Sequence, residues 1–503
     1  MKLVLLTLLI GCTPAEEVPR LVEVADPAPD AKRWVWTDRE MGWRLWSQDL
    51  FEEAQREDRP ILVYLAAPGY EGLFPTPTPG LRRLVADGFI STRVDPFKRP
   101  DIANYYDTGG WPALAIALPN GQTFAIAVDI PPPNIESYLR RLRLSYDEQR
   151  AVLIDKARRA EQVQDARMPF DVVAVYRACA VAFDSLHGGF GGPTKFLEAS
   201  VLRFLLTYGE TKAEERAVQM ALTSLDAVLD SPLSEGGGFL AYSYAPNWRV
   251  PAGEMDGLDQ AAMLHLLLEA DRPRYTVAAR ALLDFVEREF FDTTEGVFWG
   301  RRVALPPYED QTAGRKRGWW TDPTLYADRQ AALIRACLAA ATVLEDVRAA
   351  RLAIRAGDTL IERCIDGRGG VRHVCGVGDE SISGLLVDQA LVALALSDLL
   401  EWSGEARFGI AAKRVVRFME QELGGRTAFY NRAAGPLPRF FAHCDDDRPA
   451  GNALALEFYG GQGDAVQSAR LMEGLHLATE PDRAYSSWAR GVLRYGAMEK
   501  TSL

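Results

Sequence analysis

Residues 246–262 read Pro-Asn-Trp-Arg-Val-Pro-Ala-Gly-Glu-Met-Asp-Gly-Leu-Asp-Gln-Ala-Ala, a proline-punctuated loop that opens an apolar helix over Ala261–Ala270. The same junction recurs down the chain. Apolar residues at i, i+3, i+4 spacing predict helices near 170–184, 199–208, 214–230, 258–270, 274–291 and 325–344. They continue near 347–363, 383–402, 407–422, 450–459, 464–477 and 483–497, which makes six pairs. The first helix of a pair ends in a glycine turn, as in His187-Gly188-Gly189-Phe190, Gly236-Gly237-Gly238-Phe239 and Glu295-Gly296-Val297-Phe298. Weaker copies are Gly369-Gly370-Val371 and Gly424-Gly425. Glycine stops a helix in the left-handed conformation, and the apolar residue after it packs back. The second helix often opens on an acid or amide before a small residue: Asp259-Gln260-Ala261, Asp388-Gln389-Ala390, Gly451-Asn452-Ala453. Such a repeat predicts an (α/α)6 toroid over 165–500, with the loops before the inner helices gathered at one mouth.

Before this region the pattern is different. Ile61-Leu62-Val63-Tyr64-Leu65 is a continuous apolar run of the fully buried kind. Helices are expected over Leu50–Glu57, Leu81–Asp87 and Ile135–Leu144, and strands over Phe89–Val94, Ala113–Leu118 and Thr123–Val128. Asn120-Gly121 signals a hairpin turn. This order predicts an α/β thioredoxin-like domain over 34–150.

Glu52-Glu53-Ala54, Asp58-Arg59-Pro60-Ile61, Val94-Asp95, Arg99-Pro100-Asp101-Ile102, Gly109-Gly110-Trp111-Pro112 and Pro119-Asn120-Gly121 carry a further signal. In order and spacing they resemble the spermatogenesis-associated thioredoxin-domain family. Phe183-Asp184, Lys195-Phe196, Trp248, Val250-Pro251, Glu254, Asp259, Leu385-Leu386 with Asp388, and Gly451-Asn452 extend the likeness. The resemblance implies a thioredoxin-like domain fused to a six-hairpin, glycosidase-like toroid. It also implies a cis-proline at Pro112 and a Cys-x-x-Cys at the positions held here by Tyr70 and Leu73. Thiol–disulfide exchange needs an attacking thiolate and a resolving thiol, so the domain is expected to be redox-inactive there. Ala252 stands where the family has histidine, and Arg301-Arg302 replace its acidic run.

The formal net charge of −12 argues against a nucleic-acid partner, which calls for a basic face. Met1-Lys2, the apolar run Leu3–Ile10 and Gly11-Cys12 have the form of a secretory signal, and Leu9-Ile10-Gly11-Cys12 resembles a lipoprotein box. The reading is a signal over 1–12 with lipidated Cys12, a Pro- and acid-rich tether over 13–33, and an extracytoplasmic protein held at a bacterial membrane by its lipid alone. Cys364 and Cys375 flank a glycine turn and can pair in an oxidising compartment, whereas Cys179 and Cys337 sit in apolar helical runs.

Toroids of this shape often serve glycoside hydrolases and sugar epimerases. Glu254, Asp259 and Asp388 are the candidate catalytic carboxylates, because glycosidic cleavage takes one acid and one base or nucleophile. Trp248, Trp319 and Trp320 offer flat faces suited to sugar rings, and Asp447, Asn452 and His443 complete the candidate ligand set. For Asp259, Asp388 and Asn452 a helix N-cap is the competing explanation. His265 and His476 are read as core, and no metal or cofactor set is expected. Two functions remain open. One is a binding protein for a glycan or a protein partner; the alternative is a carbohydrate-active enzyme of hydrolase or epimerase type.

Overall fold

The computed structural model describes residues 41–67, 78–106, 110, 112–128, 130–162, 168–304, 318–376, 382–435, 437–439, 450–473, 476–477 and 482–495. Two compact units divide the chain. One comprises Met1–Asp165 with Ala304–Gly318 and Gly435–Pro438; the other comprises Ala166–Val303, Trp319–Ala434 and Arg439–Leu503.

In the first unit the elements are α1 (Gln48–Glu57), β1 (Ile61–Leu65), α2 (Pro79–Gly88), β2 (Ile90–Val94), α3 (Pro100–Tyr106), β3 (Ala113–Ala117), β4 (Thr123–Val128) and α4 (Ile135–Gln162). The sheet order is β2-β1-β3-β4, with β1 parallel to β2 and antiparallel to β3. Successive strand side chains face opposite ways, and here both faces are covered. Ile61, Val63 and Leu65 join Leu50, Phe51 and Ile102 on one side. Leu62 and Tyr64 join Leu81, Val85 and Leu139 on the other. That is why the run is apolar throughout. Gly121 turns the β3–β4 hairpin at φ +89°.

One helix is added to the expected order, and two local readings change. Pro100–Tyr106 is a helix, with proline at the position where its missing N–H costs nothing. The last helix runs on to Gln162, interrupted at Gln149 (φ −126°, ψ 21°), rather than stopping near Leu144. The unit also takes in Leu437, a residue inside the sequence span assigned to the toroid, which is 3 % exposed in this core.

The second unit has α5 (Val172–Ala182), α6 (Ala199–Lys212), α7 (Glu215–Leu229), α8 (Gly257–Glu269), α9 (Pro273–Glu289) and α10 (Ala327–Val343). These are followed by α11 (Val347–Cys364), α12 (Leu386–Ser403), α13 (Ala406–Phe418), α14 (Gly451–Gly461), α15 (Ala465–Glu473) and α16 (Ser486–Tyr495). All twelve helical segments expected from periodicity are present. The even-numbered helices pack each on the next, and α16 packs back on α6, which closes the ring. Composition explains which helices lie inside. α12 is apolar nearly all round and buries Leu386, Val392, Ala395 and Leu399, whereas α11 buries one stripe, including Ala353, Ala356 and Leu360. His476 departs from expectation: His476–Leu477 is a strand paired with Met168–Pro169, not part of a helix.

A repeated side-chain device ties each glycine turn to an inner helix. The Gln260 amide accepts from Phe239 N (2.9 Å) and donates to Phe239 O (2.7 Å). Gln330 does the same at Phe298, and Asn452 at Phe429 with both bonds at 2.9 Å. Gln389 accepts from Val371 N and donates to Gly369 O. All four amides are essentially buried, and each satisfies a backbone pair that would otherwise be stranded. The amides noticed in the sequence are therefore neither caps nor ligand contacts. They hold the mouth loops in place.

Candidate active site at the toroid mouth

Ahead of the inner helices, β5 (Glu254–Asp256), β6 (Arg301–Ala304) and β7 (Trp319–Thr321) form a three-stranded sheet in the order β5-β6-β7. The register sets Asp256 opposite Arg301 and Glu254 opposite Val303. Arg301 is 1 % exposed and donates through Nη2 to Glu254 Oε2 at 3.1 Å. Asp256 caps α8, accepting from Leu258 N at 2.8 Å, and its second oxygen accepts from Arg329 Nη2, also at 2.8 Å. The capping acid of this helix is thus Asp256. Asp259 lies in the first turn and is partly exposed.

Arg329 carries the network onward. Its Nη1 donates to both oxygens of Asp328 at 3.0 and 2.9 Å, and its guanidinium lies 4.8 Å from the centre of the Tyr326 ring. The Tyr326 hydroxyl donates to Asp322 at 3.1 Å. On the neighbouring segment His373 is fixed through its backbone: Ala327 N donates to His373 O, and His373 N donates to Ile382 O. Its Nδ1 stands 3.1 and 3.0 Å from the two oxygens of Asp388, in the first turn of α12. Asp328, His373 and Asp388 are each 0 % exposed, with donor atoms within 4.8 Å of one another.

Burial alone would push the His373 imidazolium down. The carboxylates of Asp388 and Asp328, and the hydrogen bond to Asp388, outweigh it and hold the group above the usual histidine range. Two aspartates and an imidazole are also donors a divalent cation accepts, so a metal-capable set exists where none was expected. Against a metal, Arg329 already engages both Asp328 oxygens and Asp388 faces Nδ1. The donors compensate one another as they stand.

Several expected site residues have other work. Trp248 is 2 % exposed at φ +65°, and its Nε1 donates to His187 O at 2.9 Å. Its ring lies on Gly189, where a β-carbon would fall 2.5 Å from Cζ2. It packs a glycine turn and offers no face to a ligand. Asn452 spends its amide on Phe429. Trp319 is partly buried beneath the Arg302 guanidinium, 5.3 Å from the ring centre, and Trp320 is partly exposed beside it on β7. His265 is largely buried, as read from its apolar run, with charged groups nearby: burial, Arg203 and Arg335 push it down to about 3. Pro112 is buried beside Tyr64 and Leu114, lining a small apolar pocket of the first unit. Cys12, Tyr70, Leu73, His443 and Asp447 lie outside the described residues. Periodicity and motif spacing do not single out Asp256, Asp322, Asp328 or Arg329, although the run Asp328-Arg329-Gln330-Ala331 carries the same amide-then-alanine signal as Asp388-Gln389-Ala390.

No family model matches the chain. Human spermatogenesis-associated protein 20 is 27% identical over 316 residues, 54% of this chain and 40% of that protein. The mouse protein of the same name is 26% identical over 312 residues, 53% of this chain and 39% of its own length. These relatives carry the name of the family whose motifs the sequence shares, and the chain spans about two-fifths of their length. Among solved structures, a cellobiose 2-epimerase from Spirochaeta thermophila superposes with a TM-score of 0.51 at 11% identity, over 68% of this chain and 98% of that one. The cellobiose 2-epimerase from Bacillus thermoamylovorans gives 0.50 at 10% identity, over 65% and 96%. At such identities the likeness is one of fold: the second unit is a toroid of the six-hairpin, glycosidase-like kind.

Proposed function

We propose that the toroid acts on a carbohydrate at its mouth, with His373 as the proton-transfer group and Asp388 as its orienting partner. The observation that carries this reading is the fully buried Asp388–His373 pair, with Asp328 beside it. Burying charge is costly, and a carboxylate on Nδ1 fixes the imidazole tautomer and raises its basicity. The substrate class comes from the company the fold keeps, since the superposed enzymes are named for epimerising sugars. Proton abstraction beside a carbonyl is the matching chemistry, and an oriented histidine performs it. The test is exchange at C2 of cellobiose and of mannose in deuterated water, followed by NMR. Wild-type exchange that rises with pH above about 6.5 and is lost in His373→Asn supports the reading. No exchange with either sugar sinks it.

A second reading is binding without turnover, and the same burial favours it. Asp328, His373 and Asp388 are fully covered, and Glu254 is engaged by Arg301. Sugar-induced thermal stabilisation with no exchange would select it. In either case, the proposal includes a redox-inactive thioredoxin-like unit and an extracytoplasmic chain anchored through Cys12. The Cys364–Cys375 disulfide supports an oxidising compartment. Cys12→Ser should release the protein from membranes into the soluble fraction. Retention on the membrane would remove the anchor.

A further inference from the structure

Deeper in the toroid, level with the C-terminal end of α8, every inner helix supplies at least one charged side chain. Arg203 of α6 binds Glu269 of α8 through Nε at 2.9 Å and Nη2 at 2.6 Å. Arg335 of α10 reaches Asp398 of α12 at 2.8 Å and Glu457 of α14 at 2.9 Å. Arg490 of α16 returns to Glu269 at 2.7 Å, with Arg494 behind it at 3.7 Å. Side chains inside a closed ring of helices would ordinarily be dry. Yet Arg203, Glu269 and Glu457 keep 19 %, 26 % and 21 % of their side-chain surface, so they border a space that solvent can enter.

The interior set balances overall, Arg203, Arg335 and Arg490 against Glu269, Asp398 and Glu457, but not locally. Arg203 and Arg490 share Glu269, and Arg494, 41 % exposed, stands 3.7 Å from the same carboxylate. Arg490 is 6 % exposed, and its Nε has no hydrogen-bond acceptor among the described residues. We propose that this interior cluster is a small-anion site, in which a chloride-sized ion or a single carboxylate sits against Arg490 beside Arg203. A buried guanidinium keeps its proton far more readily than it goes uncompensated, so the shared carboxylate and the unpaired Nε are answered by recruiting an anion. Two shifts fit. Burial and Arg203 push Arg490 down to about 9, and burial with Arg203 and Arg335 keeps His265 neutral at ordinary pH. The site is separate from the mouth and does not depend on the carbohydrate reading.

Crystals of the protein soaked in bromide give the direct test. An anomalous peak within hydrogen-bonding distance of Arg490 is expected, and its absence from the cluster overturns the proposal for halides. In solution, melting is followed at one ionic strength as sodium chloride or sodium acetate replaces sodium gluconate, whose carboxylate sits on a chain too bulky for the cluster. Chloride or acetate should raise the midpoint as it replaces gluconate, and the responding ion identifies a halide or a small carboxylate occupant. Equal midpoints in all three salts, with no bromide peak, dispose of the site. Arg490→Gln should abolish the specific shift; should that variant not fold, the bromide map of the wild-type protein still decides.

Discussion

At the scale of single residues, the mouth is built from charges that satisfy each other across long sequence separations. Glu254 and Arg301 are 47 residues apart, and Arg329 and Asp256 are 73 apart. His373 ties this network to pH. Its folded value lies above the unfolded one of about 6.5, so the imidazolium is bound more tightly in the native state. The sign follows: the group stabilises fully below about pH 6.5, and that contribution is lost as pH rises through its raised folded value. Urea melts of the wild type and His373→Asn at pH 5.5 and pH 9 should therefore show a larger stability gap at the acid pH. A gap that widens toward pH 9 would mean that the histidine is held neutral.

The element scale is where sequence and structure agree best, and for a physical reason. A helix inside a ring is apolar all round and one outside it has an apolar stripe, so periodicity alone locates both kinds, as α11 and α12 illustrate. The continuous run of β1 was legible in the same way. The site was not, because periodicity reports which face a residue is on and not which distant side chain meets it. The sequence marks Asp388 but not His373 as its partner, and it presents Trp248 as a ligand face although the glycine turn beneath it fills that face. Asn452 makes the point testable. Asn452→Ala leaves a buried N–H and a buried C=O unpaired at Phe429, each costing ~1–3 kcal/mol, so a loss of about 2–6 kcal/mol is expected in urea unfolding. Asn452→Asp keeps the shape but sets an oxygen against the Phe429 carbonyl, and should lose a similar amount. A loss below ~1 kcal/mol, with weakened sugar binding instead, would restore Asn452 to the ligand set. The disulfide is a second element-scale device, closing a short loop between Cys364 and Cys375 at a sequence separation of 11. Cys364→Ala with Cys375→Ala should cost about 3 kcal/mol on the chain-entropy account, read from the same unfolding curves. An unchanged midpoint would mean the loop is already ordered without its link.

For the whole molecule, the two units are not two consecutive stretches of chain. The first takes back Ala304–Gly318 and Gly435–Pro438 from within the span of the second. Leu437 is the visible consequence: it is 3 % exposed in the same core as Phe51 and Ile61, and it would meet a β-carbon placed on Gly121 at 3.5 Å. A cut after residue 165 would therefore leave the thioredoxin-like core without one of its side chains. Truncating a buried leucine costs ~2–5 kcal/mol, through lost transfer energy and the cavity left behind. Leu437→Ala should accordingly speed amide exchange in β1 and β3, which are more than 300 residues away in sequence, and leave exchange in α8 and α12 unchanged. Hydrogen exchange followed by mass spectrometry separates these peptides directly. Faster exchange confined to α12 and α14 would place Leu437 energetically in the toroid, and the first unit would then be the contiguous domain that its sequence suggests.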